Sequence, residues 1–103
     1  MTSKTENEHK TSPQFAIQAA QIAHSKRAED LIVLEVGERI KIAEYFVICT
    51  ARNRRQVQTI VDEIDRSAKL SGRHPRMGIE GYAEARWVLL DFQDVVIHVF
   101  LDT

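Results

Sequence analysis

Two apolar segments near the end of the chain, separated by only two residues, constrain the fold more than any other feature of the sequence. They comprise residues 87–92 and residues 95–100, with Gln93 and Asp94 between them. Because so short a connection joins only antiparallel strands, the two segments predict a β-hairpin.

The register of this hairpin assigns its side chains to two different faces. A two-residue turn places Trp87 opposite Phe100 and Leu89 opposite His98. One face is then wholly apolar and consists of Val88, Leu90, Phe92, Val95, Ile97 and Val99. The other face carries Trp87, Leu89, Asp91, Val96, His98 and Phe100. We expect helices to cover the first face, whereas the second combines aromatic groups with an acid and an imidazole, which is typical of a protein interface.

The rest of the chain supplies two helices and three further strands. Ser12 as N-cap and Pro13 as first residue predict a helix to about residue 27, and Asn53 predicts the start of a second helix that stops near Gly72. Residues 31–36 and 45–50 predict strands, of which the second is apolar on both faces and therefore central. A short extended piece runs to about residue 79. The fold class is α/β, a mixed β-sheet of about five strands with helices packed on it.

Length and composition fit one small domain. The chain has 103 residues, of which residues 1–12 read as a flexible tail and residues 13–103 as a single domain. No apolar segment approaches the roughly 20 residues that span a bilayer. The lone Cys49 excludes an intramolecular disulfide and suits a reducing compartment, so we expect a cytoplasmic location.

The net charge of −1 argues against a simple polycationic nucleic-acid binder, but the charges are unevenly distributed. Residues 51–76 hold seven basic and three acidic side chains, and residues 77–103 hold one basic and five acidic side chains. The acidic segment is either ordinary solvated surface or a surface that docks on a basic partner.

Residues suited to catalysis are present but are not arranged for it. Cys49 and His98 both lie within predicted strands, and no sequence signature links them, so we expect no enzyme activity. The four histidines lack the close spacing of metal ligands, so we expect no metal and no cofactor. The acids Glu80, Glu84, Asp91 and Asp94 are not fixed at a catalytic separation by any pattern.

Three arginines surround the predicted start of the second helix. Arg52, Arg54 and Arg55 lie where backbone N–H groups favour anions, which makes a phosphate or RNA contact one interpretation. No glycine-rich loop accompanies them, so solvated charge beside a helix is the other interpretation.

Several segments resemble the ribosomal silencing factor family (RsfS/Iojap). They are residues 26–30, residues 44–50, residues 55–57 and above all the run EGYAEARWVLLDFQDVVIHVF at residues 80–100. The similarity extends from Pro13 to the last strand. Ala51, Ala85 and Gln93 depart from the pattern, since members often have glycine there.

The resemblance implies an α/β domain related in shape to nucleotidyltransferases. It implies binding to the large ribosomal subunit through large-subunit ribosomal protein fourteen, which blocks association with the small subunit and represses translation when nutrients are scarce. It also implies a non-enzymatic protein that can form homodimers. Two alternatives stay open, a large-subunit assembly factor and a nucleotide-binding remnant of a nucleotidyltransferase.

Part of the matched motif is expected to contact the ribosomal protein, and Gly81 is expected to serve backbone geometry. The expected contact residues are Glu80, Glu84, Trp87, Leu89, Asp91, Asp94, His98 and Tyr45. Neither a membrane nor a specific nucleic-acid sequence is expected as a partner.

Overall fold

The computed structural model describes residues 11–39, 41–73 and 76–102. Its elements follow the predicted order and confirm the α/β class. They are α1 (Ser12–Ser25), β1 (Glu29–Glu35), β2 (Tyr45–Ala51), α2 (Arg54–Leu70), β3 (Gly78–Glu80), β4 (Trp87–Asp91) and β5 (Val95–Leu101).

The five strands form one mixed sheet in the order β1-β2-β5-β4-β3. Strands β2 and β5 are parallel, and the other neighbouring pairs are antiparallel. The connection between the parallel strands runs through α2, β3 and β4. The middle strand is therefore β5, and β2, which was predicted to be central, lies inside the sheet one position away.

The register predicted for the final hairpin is confirmed. Trp87 lies opposite Phe100 and Leu89 lies opposite His98. In the turn, Gln93 has φ of 79°, and the Asp94 N–H donates to the Phe92 carbonyl at 3.0 Å, as in a γ-turn. The Asp91 carboxylate accepts from the Gln93 N–H at 2.7 Å and stabilises this turn.

Two of the three positions that depart from the resemblance adopt a left-handed backbone. Gln93 is one, and Ala85, with φ of 53°, is the other. Glycine adopts such φ values without the steric cost that a Cβ atom brings, so Ala85 and Gln93 are more strained than glycine would be at these two positions. The third position, Ala51, lies at the end of β2 in ordinary strand backbone.

The ends of the helices differ slightly from the prediction. Thr11, not Ser12, is the N-cap of α1, because its side chain and that of Gln14 form a reciprocal capping box. The helix ends at Ser25, two residues before the predicted end, since Arg27 has φ of 68°. Asn53 caps α2 as predicted. Residues 1–10 of the predicted tail lie outside the described residues, and Thr11 and Ser12 belong to the cap and first residue of α1.

Both helices pack on the same face of the sheet. The buried stripe of α2 has the helical spacing that the sequence predicts and consists of Val57, Ile60, Val61, Ile64 and Ala68. Phe15 and Ala19 of α1 are fully buried beside it. The predicted apolar face of the hairpin lies beneath these helices, and all six of its side chains are buried. The opposite face of the sheet has no helix on it within the described part of the chain.

A candidate protein-docking face

The face opposite the helices, called the open face below, is mainly apolar and extends across all five strands. The strand pairing places these side chains on it: Ile32, Leu34, Phe46, Ile48, Thr50, Val96, His98, Phe100, Trp87, Leu89, Asp91 and Glu80. Residues directly opposite each other on paired strands share a face. The open face is therefore a continuous surface, built from residues far apart in the sequence.

Aromatic rings extend along the open face from its Trp87–Phe100 end through His98 to Phe46. Trp87 is 54% exposed and stacks on Phe100, with ring centroids 5.3 Å apart. The His98 ring lies 6.2 Å from Trp87 and meets the edge of Phe46 at 5.0 Å. Ile32 of β1 is also 46% exposed. Large apolar side chains that remain exposed in one continuous patch are characteristic of an interaction surface.

The imidazole of His98 is held as a neutral ring. The Trp87 Nε1–H donates to His98 Nδ1 at 3.3 Å, which leaves the imidazole proton on Nε2. Desolvation by burial lowers the pKa of His98 from its usual 6.5, and so favours this neutral form. His98 Nε2 is buried and has no hydrogen-bond partner among the described residues. The centre of the open face is thus uncharged near neutral pH.

The charges on the open face are negative. Glu80 lies opposite Leu89, and Asp91 lies opposite Val96, so both acids share the face with the aromatic rings. None of the strand residues assigned to the open face is a lysine or arginine. An apolar centre with acids at the β3–β4 side is the polar-rimmed arrangement of a protein interface.

Asp94 and Glu84, two of the predicted contact residues, do not lie on the open face. The Asp94 carboxylate accepts from Ser12 Oγ at 2.5 Å and pairs with Arg73, whose guanidinium lies 4.3 Å from the centre of the Phe15 ring. It thus joins the β4–β5 turn to the start of α1 and to the segment after α2. Glu84 is exposed in the connection between β3 and β4. A contact of either residue with a partner stays a prediction.

Tyr45 is on the other side of the sheet. It lies opposite Glu35 and the buried Val95, on the face that the helices cover, and it packs against the core. The run of apolar residues in β2 gave no alternation from which its face could be predicted. For the same reason the sequence did not identify Ile48 or Phe46 as members of the open face.

Gly81 holds the start of β4 in place, in agreement with the role expected for it. Its φ is +82°, and a Cβ atom there would lie 2.2 Å from the Trp87 carbonyl oxygen. The following residue, Tyr82, is tied to α2, because its hydroxyl donates to Asp62 and its carbonyl accepts from Gln58. The close approach at Gly81 therefore fixes the backbone that carries Trp87.

Cys49 and His98 cannot act together, because they lie on opposite faces of the sheet. Cys49 is opposite Val99 on the buried side, whereas His98 is opposite Ile48 on the open face. Burial raises the pKa of the Cys49 thiol to about 11, so the reactive thiolate is disfavoured. Within residues 11–39, 41–73 and 76–102, no group of three potential metal ligands occurs.

The three arginines lie at the junction of β2 and α2. Arg52 follows β2 and forms an ion pair of 2.8 Å with Glu29. Arg54 and Arg55 are the first two residues of α2, and both are exposed. These side chains belong to a different surface from the acidic strand residues of the open face.

Together, the one-sided packing and the exposed aromatic face define a small α/β domain with a candidate docking face. Neither helix in the described parts of the chain is able to span a membrane. A family model described as "Ribosomal silencing factor during starvation" matches residues 9–103. The chain belongs to this family, RsfS.

Individual relatives agree with this assignment. The ribosomal silencing factor RsfS of Bacillus subtilis is 44% identical over 82 residues, which cover 80% of this chain and 69% of that protein. A crystal structure of a protein from Chromobacterium violaceum has a TM-score of 0.85 at 25% identity, and the match covers 89% of this chain and 76% of that one. A crystal structure from Bacillus halodurans has a TM-score of 0.73 at 36% identity and covers 85% and 78%, respectively.

Proposed function

We propose that this protein binds the large ribosomal subunit through the open face and sterically prevents its association with the small subunit. Translation is thereby repressed when nutrients are limiting. Family membership supports the ribosome as the partner. The observation that carries the proposal is the open face itself, with Trp87 exposed at 54% and stacked on Phe100.

The chemistry of the open face fits a basic ribosomal protein, and we assign large-subunit ribosomal protein fourteen as the partner. Burial of the aromatic rings supplies the affinity, since tryptophan and tyrosine anchors commonly dominate interface energetics. Glu80 and Asp91 face the partner's cations and speed correctly oriented encounter. This polarity also disfavours direct contact with the RNA backbone through the open face, because phosphates and carboxylates repel each other.

The proposed mechanism needs occupancy and no chemical step. The two side chains that sequence alone offers for nucleophilic catalysis, Cys49 and His98, are separated by the sheet. A bound folded domain excludes the other subunit by its volume. We therefore propose a non-enzymatic repressor without a cofactor that acts in the cytoplasm.

Pelleting with purified large subunits tests the proposal, with Trp87→Ala as the disrupting variant. Ile17→Ala is the matched control, because Ile17 is also 54% exposed but lies on α1. We expect the wild-type protein and Ile17→Ala to co-sediment and Trp87→Ala to stay in the supernatant with an unchanged circular dichroism spectrum. Absence of the wild-type protein from the pellet at saturating concentration would contradict the proposal.

The exposed apolar area also favours self-association, and we propose that two copies pair through the same face. Sedimentation equilibrium over a range of concentrations measures this pairing. Trp87→Ala is expected to weaken it, whereas Ile17→Ala is not. Equal association of all three proteins would place the contact elsewhere.

A role in assembly of the large subunit uses the same docking face. Depletion distinguishes it from silencing. An assembly factor leaves immature large-subunit particles on a sucrose gradient when it is removed. When this protein is depleted, we expect the large subunits to be mature and to join small subunits normally. We also expect that starved cells then fail to reduce translation.

A further inference from the structure

Five cationic side chains form a second surface at the end of the sheet where β2 stops. This basic cluster consists of Lys26, Arg27, Arg52, Arg54 and Arg55. Lys26, Arg27 and Arg52 line a concavity of about 610 Å³, together with Glu29, Asn53 and Gln56. The α1–β1 connection, the end of β2 and the start of α2 therefore meet here. Arg54 and Arg55 are the first two residues of α2, next to Asn53 in the chain.

Most of the charge in the basic cluster is uncompensated. Glu29 forms an ion pair with Arg52. Among the described residues, no carboxylate lies within ion-pair distance of the other four cations, and all five side chains are exposed. Clustered exposed cations attract polyanions, because they repel one another until an anion neutralises them.

Arg54 and Arg55 do not stabilise α2. A helix N-terminus carries partial positive charge and is stabilised by acidic residues in the first turn. The first turn of α2 has no acidic residue and begins with Arg54 and Arg55. Their positions are therefore mildly unfavourable for folding, which points to a role in binding.

The side-chain amide oxygens of the concavity, and the Gln56 amide nitrogen, are already used within the protein. Asn53 Oδ1 accepts from the Gln56 N–H at 2.8 Å, and Gln56 Oε1 accepts from the Arg52 N–H at 2.7 Å. Gln56 Nε2 donates to the carbonyls of Lys26 and Arg27. The Gln56 amide holds the three segments together, and neither of its polar atoms is free to read a base. The surface thus suits phosphate groups and not a particular nucleotide sequence.

The basic cluster adjoins the aromatic end of the open face. Thr50, Phe100 and Trp87 form one row across the sheet. Arg52 comes two residues after Thr50 in the chain, just beyond the end of β2. When a ribosomal protein covers Trp87, the RNA that surrounds this protein therefore lies close to the basic cluster.

We infer that the basic cluster binds the phosphate backbone of ribosomal RNA beside the protein that the open face covers. This inference rests on the proposed function, since the open face determines where the domain docks. The two surfaces have different roles in binding. The apolar and acidic face selects a protein, and the cationic end adds salt-sensitive affinity for the adjacent RNA.

The test compares two triple variants that lose the same charge. Arg52→Gln, Arg54→Gln and Arg55→Gln together neutralise the basic cluster. The control combines Lys41→Gln, Arg66→Gln and Lys69→Gln, which remove three exposed cations elsewhere. Binding to large subunits and to a 20-base-pair RNA duplex is measured from 50 to 200 mM salt, and thermal unfolding of each protein is recorded.

We expect the cluster variant to bind both probes about tenfold more weakly or worse at 50 mM salt, with a shallower dependence of affinity on salt. The control variant should follow the wild-type protein. The cluster variant should unfold close to the wild-type temperature, because relief of repulsion at the start of α2 offsets loss of the exposed Arg52–Glu29 ion pair. This combination separates loss of binding from loss of folding.

Wild-type binding to large subunits with no difference between the two variants would overturn the inference and leave the proposed function intact. Wild-type binding to the RNA duplex but not to large subunits would contradict the proposed function, and with it the inference of a ribosomal site. Calorimetry with ATP and Mg²⁺ covers the remaining case. Suppose that the wild-type protein binds ATP but not the RNA duplex, and that the cluster variant no longer binds ATP. The cluster would then be a site for free nucleotides, and the inference would be overturned.

Discussion

The two faces of the sheet are made from alternate residues of the same strands, yet they differ in burial. On β4, Val88 and Leu90 are fully buried beneath the helices, whereas their neighbour Trp87 is more than half exposed. Folding explains the apolar residues of the covered face, because they form the core. It does not explain those of the open face, which the described chain leaves uncovered. The comparison shows that a residue's type is informative only together with the face on which it lies.

The largest expected difference between the faces is in stability. Ile97 is fully buried, and Ile97→Ala should lower the free energy of unfolding by about 2–5 kcal/mol. Ile32 is 46% exposed on the open face, and Ile32→Ala should cost about 1 kcal/mol, because only about half of its surface is removed from water. Denaturant unfolding measures both changes. Equal losses would mean that the open face belongs to the folding core.

The second prediction concerns the backbone that supports Trp87. Gly81→Ala should destabilise the protein by about 2 kcal/mol or more, since it adds a Cβ atom to a left-handed residue against a backbone carbonyl. Gly78→Ala is the control, because a Cβ atom at Gly78 meets nothing within 4 Å. Thermal unfolding of the two variants measures the difference. If both variants unfolded at the wild-type temperature, the close approach of Gly81 to the Trp87 carbonyl would be wrong.

The turn that sets the register of the two faces provides a smaller, stabilising effect. Gln93 has φ of 79°, so Gln93→Gly should raise the free energy of unfolding by about 0.5–1 kcal/mol despite the greater freedom of the unfolded chain. Ala83→Gly serves as the control and should destabilise, because Ala83 is not left-handed. A lower melting temperature for Gln93→Gly would contradict the assigned turn.

The smallest effect is the pH dependence that His98 brings to the open face. Its pKa is lower in the folded protein than in the unfolded chain, so the unfolded chain binds more protons between the two pKa values. Its contribution to stability is therefore present above about pH 6.5 and is lost as the pH falls through the folded pKa. The wild-type protein should lose more stability between pH 7 and pH 5 than His98→Leu. Parallel stability curves would show that His98 does not titrate differently in the two states.

The parts of the fold that follow from local patterns could be predicted from the sequence. Alternating apolar residues around a two-residue turn predicted which side chains of β4 and β5 the helices cover. The spacing of Val57, Ile60 and Ile64 predicted the buried stripe of α2 in the same way. Both patterns are short-range, because side chains alternate along a strand and recur every three or four residues on a helix.

Features that depend on distant partners could not be predicted. The family resemblance predicts Tyr45 as a contact residue, and β2 is apolar on both sides, so its pattern gives no face for this side chain. Only the pairing of Tyr45 with Val95 reveals that it faces the helices. Asp94 resembled an exposed loop acid, but Ser12 and Arg73, both far away in the sequence, engage its carboxylate. Such contacts arise from the tertiary arrangement and leave no periodic signal.

The most direct test of the proposed steric role of the open face is a subunit-joining assay on a sucrose gradient. Purified large and small subunits are mixed after the large subunits have been saturated with the wild-type protein, Trp87→Ala or Ile17→Ala. We predict that the wild-type protein and Ile17→Ala keep the subunits apart, while Trp87→Ala at the same concentration allows them to join. Normal joining in the presence of saturating wild-type protein, or an equal block by Trp87→Ala, would contradict this account.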